Sequence, residues 1–308
     1  MIKLGIIGMS PGNAHPYSWS SIINGSFDGK EIHKVGYPAV ANYLEANNDT
    51  LGLAGAKVTS VWTQDRTVSE SIAQTSGISH IVDKLEDMIP LADAVLLSRD
   101  DPENHVAMAK PFLDAGIPLF VDKPLAFTKE DLQYFSNENA KGRLIMSCSS
   151  MRYSNECRTV KQEIASLGKI ELATAVGKKD WKKYGVHLLE ALFALVNDPR
   201  PVSVKYIGKP DKDIVFIEFE NGMLATVHLF MDISSPFQLS LFGQQGWRLI
   251  DIKNSYSMFR DNIIEFIRSV QEGASRLPFD KTENIIRTLI AANESKNQDG
   301  KTITMSNF

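Results

Sequence analysis

Hydrophobic positions along the first 125 residues fall in short unbroken runs separated by helical patterns. Ile2-Lys3-Leu4-Gly5-Ile6-Ile7-Gly8 is a brief apolar run ending in glycine, Val58-Thr59-Ser60-Val61-Trp62 is rich in β-branched residues, and Ala94-Val95-Leu96-Leu97-Ser98 reads as a buried strand. A polar loop and a helical stretch from Asn104 to Ala115 follow, Gly116 stops that helix, and Leu119-Phe120-Val121 is the next strand. Strands alternating with helices predict a parallel sheet of β-α-β units. Between Tyr17 and Lys57 the pattern predicts a helix over 17–24, an inserted segment, and a helix near 38–46.

The pattern changes after Lys123-Pro124. Leu144 to Cys148, Ile170 to Val176, Ile214 to Phe219, Leu224 to Leu229 and Gln238 to Phe242 are strand candidates, and Glu220-Asn221-Gly222 is a hairpin signal between two of them. Helices are predicted at roughly 154–167, 181–196, 257–273 and 280–298. Strands joined by short turns imply a mostly antiparallel sheet. The fold class is therefore α/β: a doubly wound parallel sheet over residues 1–125, then an α+β domain with an open, mostly antiparallel sheet over 126–308. No repeat or low-complexity segment interrupts either half.

Composition narrows the partners. The 308 residues are 43% hydrophobic and 23% charged, with a formal net charge of -4, which gives no electrostatic reason to expect nucleic acid or an anionic membrane. No run approaches the roughly eighteen apolar residues of a membrane-spanning helix, and the start of the chain reads as a strand rather than a signal peptide. Cys148 and Cys157 make no disulfide framework, so a reduced, cytoplasmic protein is expected. The histidines at 15, 33, 80, 105, 187 and 228 show no pairing at ligand spacing, and no metal is expected.

Candidate chemistry concentrates where strands end. In an open α/β sheet ligands bind at the carboxyl ends of the strands, and Asp122-Lys123-Pro124 sits at such an end. The first turn, Gly8-Met9-Ser10-Pro11-Gly12-Asn13-Ala14-His15, is a partial match to the glycine fingerprint that lets backbone approach a dinucleotide's pyrophosphate. Gly8 fits, but Ser10 and Asn13 stand where the second and third glycines belong, and Pro11 removes a donor. At the end of the second strand Asp65 can bond adenosine ribose hydroxyls, or Thr63 and Arg66 can hold a 2′-phosphate, so NAD and NADP both remain open. Ser98 ends the next strand, and His105 follows within its loop.

In this order the residues resemble the Gfo/Idh/MocA oxidoreductases, the glucose–fructose oxidoreductase and inositol dehydrogenase relatives, over nearly the whole chain. The resemblance rests on four segments: the Gly8 turn with His15; Asp93 to Ser98 followed by Pro102-Glu103-Asn104-His105; Ala115-Gly116-Ile117-Pro118-Leu119-Phe120-Val121-Asp122-Lys123-Pro124-Leu125-Ala126, similar to A-G-x-x-V-x-x-E-K-P-L-A; and Gly185-Val186-His187-Leu188-Leu189-Glu190, similar to D-x-G-x-H-x-x-D. It implies a Rossmann-type first domain, a nicotinamide between the two domains, and Lys123 and His187 as the catalytic pair. Cofactor contacts are then expected from Gly8, Ser10, Asn13, Thr63, Asp65, Arg66, Ser98, His105, Asp122 and Lys123.

The chemistry is self-consistent. Removing hydride from a carbinol carbon also releases the hydroxyl proton, and a base of near-neutral pKa such as His187 suits that step. Lys123 can stabilise the alkoxide, or act as base if desolvated. The expected substrate is a sugar, inositol or sugar-acid-like hydroxyl compound, and the expected state a dimer or tetramer joined through the second sheet. The helix motif's first aspartate falls on Lys183, a cation that suits an anionic substrate group. Arg152 follows the first strand of the second half, and His15 and Tyr17 belong to an unusual insertion; with Lys183 they are the candidate substrate contacts. Alternatives from other classes are a redox-neutral enzyme holding its cofactor, and a nucleotide or sugar sensor.

Overall fold

In a computed structural model of the chain, residues 1–234 and 237–307 are described. They divide into two units. The first comprises Met1–Ala126, Gln133–Ser147 and Phe259–Phe279; the second comprises Phe127–Leu132, Cys148–Met258 and Asp280–Phe308.

Elements appear in chain order as β1 (Ile2–Ile7), α1 (His15–Asn24), α2 (Gly29–Lys34), α3 (Pro38–Ala46), β2 (Ala56–Trp62), α4 (Arg66–Ser76), β3 (His80–Ile81), β4 (Ala94–Leu97), α5 (His105–Asp114), β5 (Leu119–Val121), α6 (Lys129–Ala140) and β6 (Ile145–Met146). The six strands form one sheet in the order β3-β2-β1-β4-β5-β6, every pair parallel. That is the doubly wound order in which direction reverses beside β1, so the crevice outside β1 and β4 is the topological switch point. Four strand interiors, Leu4 to Ile7, Val58, Ala94 to Leu97 and Leu119 to Val121, are buried, as helices on both faces require. Trp19, Phe120 and Phe266 pack edge to face in this core.

Sequence patterning assigns Leu144 to Cys148 to the second sheet. The structure instead pairs Ile145–Met146 in parallel with β5, as the sixth strand of the first sheet. A short, wholly buried strand has no polar alternation from which its sheet can be read. The inserted segment contains α2, started by Asp28, whose side chain accepts from the N–H groups of Lys30 and Glu31.

The remaining elements are α7 (Asn155–Glu163), β7 (Ile170–Lys178), α8 (Trp181–Leu195), β8 (Pro201–Tyr206), β9 (Lys212–Phe219), β10 (Leu224–Phe230), β11 (Phe237–Gly243), β12 (Trp247–Ile252), α9 (Ser255–Glu272), α10 (Phe279–Asn297) and β13 (Ile303–Thr304). Seven strands order as β12-β11-β7-β10-β9-β8-β13, antiparallel except for β7 with β10. The β9–β10 hairpin turns at Gly222, whose φ of 81° is a conformation that costs other residues. Burial alternates strictly along β9 and β10, and α8 packs against β7 and β10. One face of this sheet is thus covered and the other is left open. Among the described residues no helix is long and apolar enough to cross a membrane.

Candidate active site

The first unit gathers its chemistry at the carboxyl ends of β1, β4 and β5. Gly8 leaves β1 where a Cβ would stand 2.5 Å from Pro16 Cγ, so only glycine lets α1 begin this close to the strand. Ser10 donates its hydroxyl to Asp100 Oδ1 (2.5 Å), and the Asp100 N–H donates back to Ser10 Oγ (3.1 Å). Asn13 Nδ2 donates to Asp122 Oδ2 (3.0 Å), while its own Oδ1 accepts the His15 N–H (2.8 Å). Asp122 Oδ1 accepts the Lys123 N–H (2.8 Å).

His15 Nδ1 lies 2.5 Å from Asp122 Oδ2, and its ring stacks on Trp19 at 4.5 Å between centroids. Burial works against the charge of Asp122, but His15, Lys123 and Asn13 outweigh it and hold the carboxyl below the ordinary aspartate range. Being ionised, Asp122 only accepts, so the proton on this contact belongs to His15 Nδ1. Lys123 Nζ is 3.6 Å from Asp100 Oδ2 and its side chain is buried.

Two residues that patterning did not single out brace the glycine turn. Gln64 accepts from the Met9 N–H (3.0 Å) and donates to the Met9 carbonyl (2.5 Å). Arg99 reaches the same carbonyl (3.2 Å) and Gln64 Oε1 (2.9 Å), and forks onto Asp101. Burial opposes the Asp101 charge, yet Arg99 and Asn104 keep that carboxyl low. The only sequence signal for these braces was their place in polar loops directly after strands.

At the end of β2, Thr63 is buried, with its hydroxyl donating to the Asp65 carbonyl (2.6 Å). The Asp65 carboxylate caps α4, accepting the Thr67 N–H (2.9 Å) and hydroxyl (2.7 Å), and those bonds lower its pKa. Arg66 pairs with Glu70 and Asp83 on the surface. Ser98 donates its hydroxyl to the Ile7 carbonyl (2.7 Å), tying β4 to β1. His105 is buried with a ring nitrogen 3.0 Å from each of the Leu125 and Arg99 carbonyls. Tyr17 is buried and donates to Ser71 Oγ (2.9 Å).

The second unit has its own cluster on α8, whose N-cap Asp180 accepts the Lys183 N–H (3.0 Å). The Lys183 side chain is exposed. His187 Nδ1 lies 2.6 Å from Ser149 Oγ, and the His187 ring contacts those of Tyr184 (5.3 Å) and Phe237 (6.0 Å). Lys179 Nζ donates to the Tyr184 hydroxyl (2.5 Å) and also sits over that ring. Arg152 is buried, with Nε donating to Glu190 Oε2 (2.6 Å) and Nη2 to Asp198 Oδ1 (2.6 Å); Lys281 adds a second cation on Asp198 (3.1 Å). Burial pushes the Glu190 carboxyl up to about 7 against the pull of Arg152; the less enclosed Asp198 is held below its ordinary value by Arg152 and Lys281 despite its own burial.

The structure therefore gathers Ser10, Asn13, His15, Asp122 and Lys123 in the first unit around two acids, Asp122 holding Asn13 and His15 and Asp100 holding Ser10 and facing Lys123. Thr63, Asp65 and Arg66 form a separate group at the end of β2. At the glycine turn the Met9 N–H and the Ser10 hydroxyl are already engaged by Gln64 and Asp100.

Comparisons with known proteins agree with the geometry. Residues 32–148 match the family model described as "Oxidoreductase family, NAD-binding Rossmann fold" (GFO_IDH_MocA). Inositol 2-dehydrogenase 1 of Saccharopolyspora erythraea is 35% identical over 109 residues, a match spanning 33% of this chain and 32% of that relative's length. The myo-inositol dehydrogenase of Lactobacillus casei, solved with NAD(H) and myo-inositol, superposes with a TM-score of 0.78 at 16% identity, covering 99% of this chain and 96% of that one. The myo-inositol 2-dehydrogenase of Lactobacillus plantarum gives 0.76 at 14%, covering 98% and 99%. At such identities these two likenesses establish the fold alone. The matched family segment lies across β2 to β6, so that part of the chain is similar to the Gfo/Idh/MocA oxidoreductases, and the whole chain shares the fold of the two solved dehydrogenases.

Proposed function

We propose that this protein is an NAD(P)-dependent dehydrogenase that interconverts a CH–OH group and its carbonyl on a sugar, inositol or sugar-acid-like compound. The observation that carries the reading is the buried Lys123 at the carboxyl end of β5, beside the switch point of a doubly wound sheet. Gly8, Ser10 and Asn13 would hold the pyrophosphate of a bound dinucleotide, and Thr63, Asp65 and Arg66 its adenosine. Asp122 would frame the nicotinamide end, with Ser98 and His105 buried behind it on backbone carbonyls. When bound, the nicotinamide supplies the hydride acceptor. Lys123 would stabilise the charge that develops on the substrate oxygen, and His187 is the second unit's candidate for a bond to substrate. The exposed Lys183 suits a substrate bearing an anionic group. A reducing, cytoplasmic setting suits the free thiols: burial pushes Cys157 up to about 11, which removes it from thiolate chemistry.

Fluorescence titration with NADH and NADPH in parallel tests the reading. Because pyrophosphate must displace Gln64 and Asp100 from the turn, a dissociation constant on the order of tens of micromolar is expected, about −6 kcal/mol. Asp100→Asn removes a negative charge beside Ser10 and is expected to tighten binding about fivefold, the worth of about 1 kcal/mol of repulsion. No binding of either dinucleotide at millimolar concentration would sink the dehydrogenase reading, and tight binding without turnover across a polyol panel would favour the sensor.

A homo-oligomer through the open sheet face belongs to the same proposal. Register aligns Leu224, Leu172, Phe242 and Trp247 in one row across β10, β7, β11 and β12. All four are exposed, Trp247 at 62%, with Leu249 at 57% beside them. Contiguous exposed apolar surface of this kind marks a protein interface. Light scattering is expected to give at least twice the 34.2 kDa chain mass, and Trp247→Glu to yield monomer. A monomeric parent would remove this part of the proposal.

A further inference from the structure

We propose that Ser149 is a positioning residue that holds His187 in the tautomer with its proton on Nε2, so that His187 meets the substrate oxygen as a hydrogen-bond donor and not as a base. The assignment deepens the dehydrogenase reading and rests on it for its catalytic meaning. The tautomer itself stands on the second unit's own geometry.

Ser149 is fully buried and fixed from three sides. Its N–H donates to Glu190 Oε1 (3.3 Å), its carbonyl accepts the Arg152 N–H (3.1 Å), and its hydroxyl oxygen accepts the Met151 N–H (3.2 Å). Glu190 is itself anchored by Arg152, which also grips Asp198, so the backbone of Ser149 hangs on a buried ion network. A serine hydroxyl has one proton to give and two lone pairs. Met151 takes one lone pair, and the acceptor facing the hydroxyl is His187 Nδ1 at 2.6 Å. A buried O–H is rarely left without an acceptor, so the serine donates and Nδ1 accepts. A neutral imidazole with a lone pair on Nδ1 carries its proton on Nε2.

The contrast with His15 sharpens the inference. There the partner is the ionised carboxylate of Asp122, which can only accept and therefore puts the proton on Nδ1. On α8 a cation, Lys183, occupies the position one turn before His187, and the ring nitrogen rests on a hydroxyl instead. A neutral imidazole that donates from Nε2 can polarise a carbonyl or steady an alkoxide. It has no lone pair there to take the carbinol proton. In the oxidation direction a bound oxidised nicotinamide would take the C–H hydride, and the O–H proton would have to leave to a group other than His187.

The test is a long-range proton–nitrogen imidazole spectrum of 15N-histidine-labelled protein near neutral pH without cofactor, with His187→Asn identifying the resonance. The expected pattern is protonated Nε2 and unprotonated Nδ1 at His187, changed to a tautomer mixture in Ser149→Ala. That variant is also expected to lose about tenfold to a hundredfold in kcat with KM little changed, as a misplaced polar group would. A parent carrying its proton on Nδ1, or a Ser149→Ala spectrum identical to the parent's, would overturn the assignment. If the parent binds no NADH, the dehydrogenase reading fails, and the spectrum alone still decides what Ser149 does to His187.

Discussion

Lys123→Ala is expected to lower kcat at least about a hundredfold, the low end of a general acid–base contribution, while the fold survives. The side chain is buried at the end of β5, where a cation serves no packing purpose that methyl groups would not serve better. Among the described residues its one ion-pair contact, Asp100 at 3.6 Å, is longer than a hydrogen bond, and Asp100 makes its short contact with Ser10. The ammonium is therefore held near its place without being consumed. The Asp122 carboxylate is bonded to the Lys123 backbone and to His15 and Asn13, so truncating the side chain leaves the local frame standing. If His187 is the donor described above, Lys123 also exchanges the proton, and its loss removes both charge stabilisation and acid–base chemistry. The measurement is kcat at saturating dinucleotide, with a thermal melt and an NADH titration alongside. Parent-like turnover would remove Lys123 from the mechanism.

Much of this arrangement was legible before the structure, and what was not has physical reasons. Strands β4 and β5 announce themselves because each is buried on both faces and so reads as an apolar run, and β1 and β2 through their buried apolar and β-branched positions. Helix α8 and the β9–β10 hairpin follow from period and turn chemistry. Strands β8 and β12 escaped because Pro201, Lys205, Arg248 and Asp251 interrupt them with polar or turn-favouring residues on the outward or edge side. In the candidate site, motifs pointed to single residues but not to the partners that hold them. Gln64, Asp100 and Ser149 lie 55, 90 and 38 positions from the groups they bond, and no local pattern encodes such pairings. Arg152 shows the same gap. Sequence position marked it as a substrate contact; the structure commits it to two carboxylates drawn from α8 and the loop beyond it.

Arg152→Met is expected to destabilise the protein by about 3–5 kcal/mol, because removing one member of a buried ion network leaves Glu190 without its cation and Asp198 with one cation fewer. Arg152 and Glu190 are almost wholly enclosed, at 7% and 2% side-chain exposure, so solvent screens little of the loss. The two carboxylates then behave differently. Asp198 keeps Lys281 at 3.1 Å and remains charged. Among the described residues no second cation contacts Glu190, and burial already pushes its carboxyl to about 7 with the arginine present. Without Arg152 it rises further, and the native state holds a proton that the unfolded chain, near the ordinary 4.5, has released. Native protein then binds more protons than unfolded protein across that interval, so the variant's stability is greatest below 4.5 at this site and is lost as pH rises through the folded value. Asp198 has the opposite sign: its lowered pKa contributes stability above the ordinary 3.8 that fades as pH falls. Urea unfolding of parent and variant at mildly acidic and mildly alkaline pH separates the two. The expected result is a loss that is clearly larger on the alkaline side. An equal loss at both would mean that Glu190 stays ionised without Arg152, and a loss near zero would mean that water or another cation replaces the guanidinium.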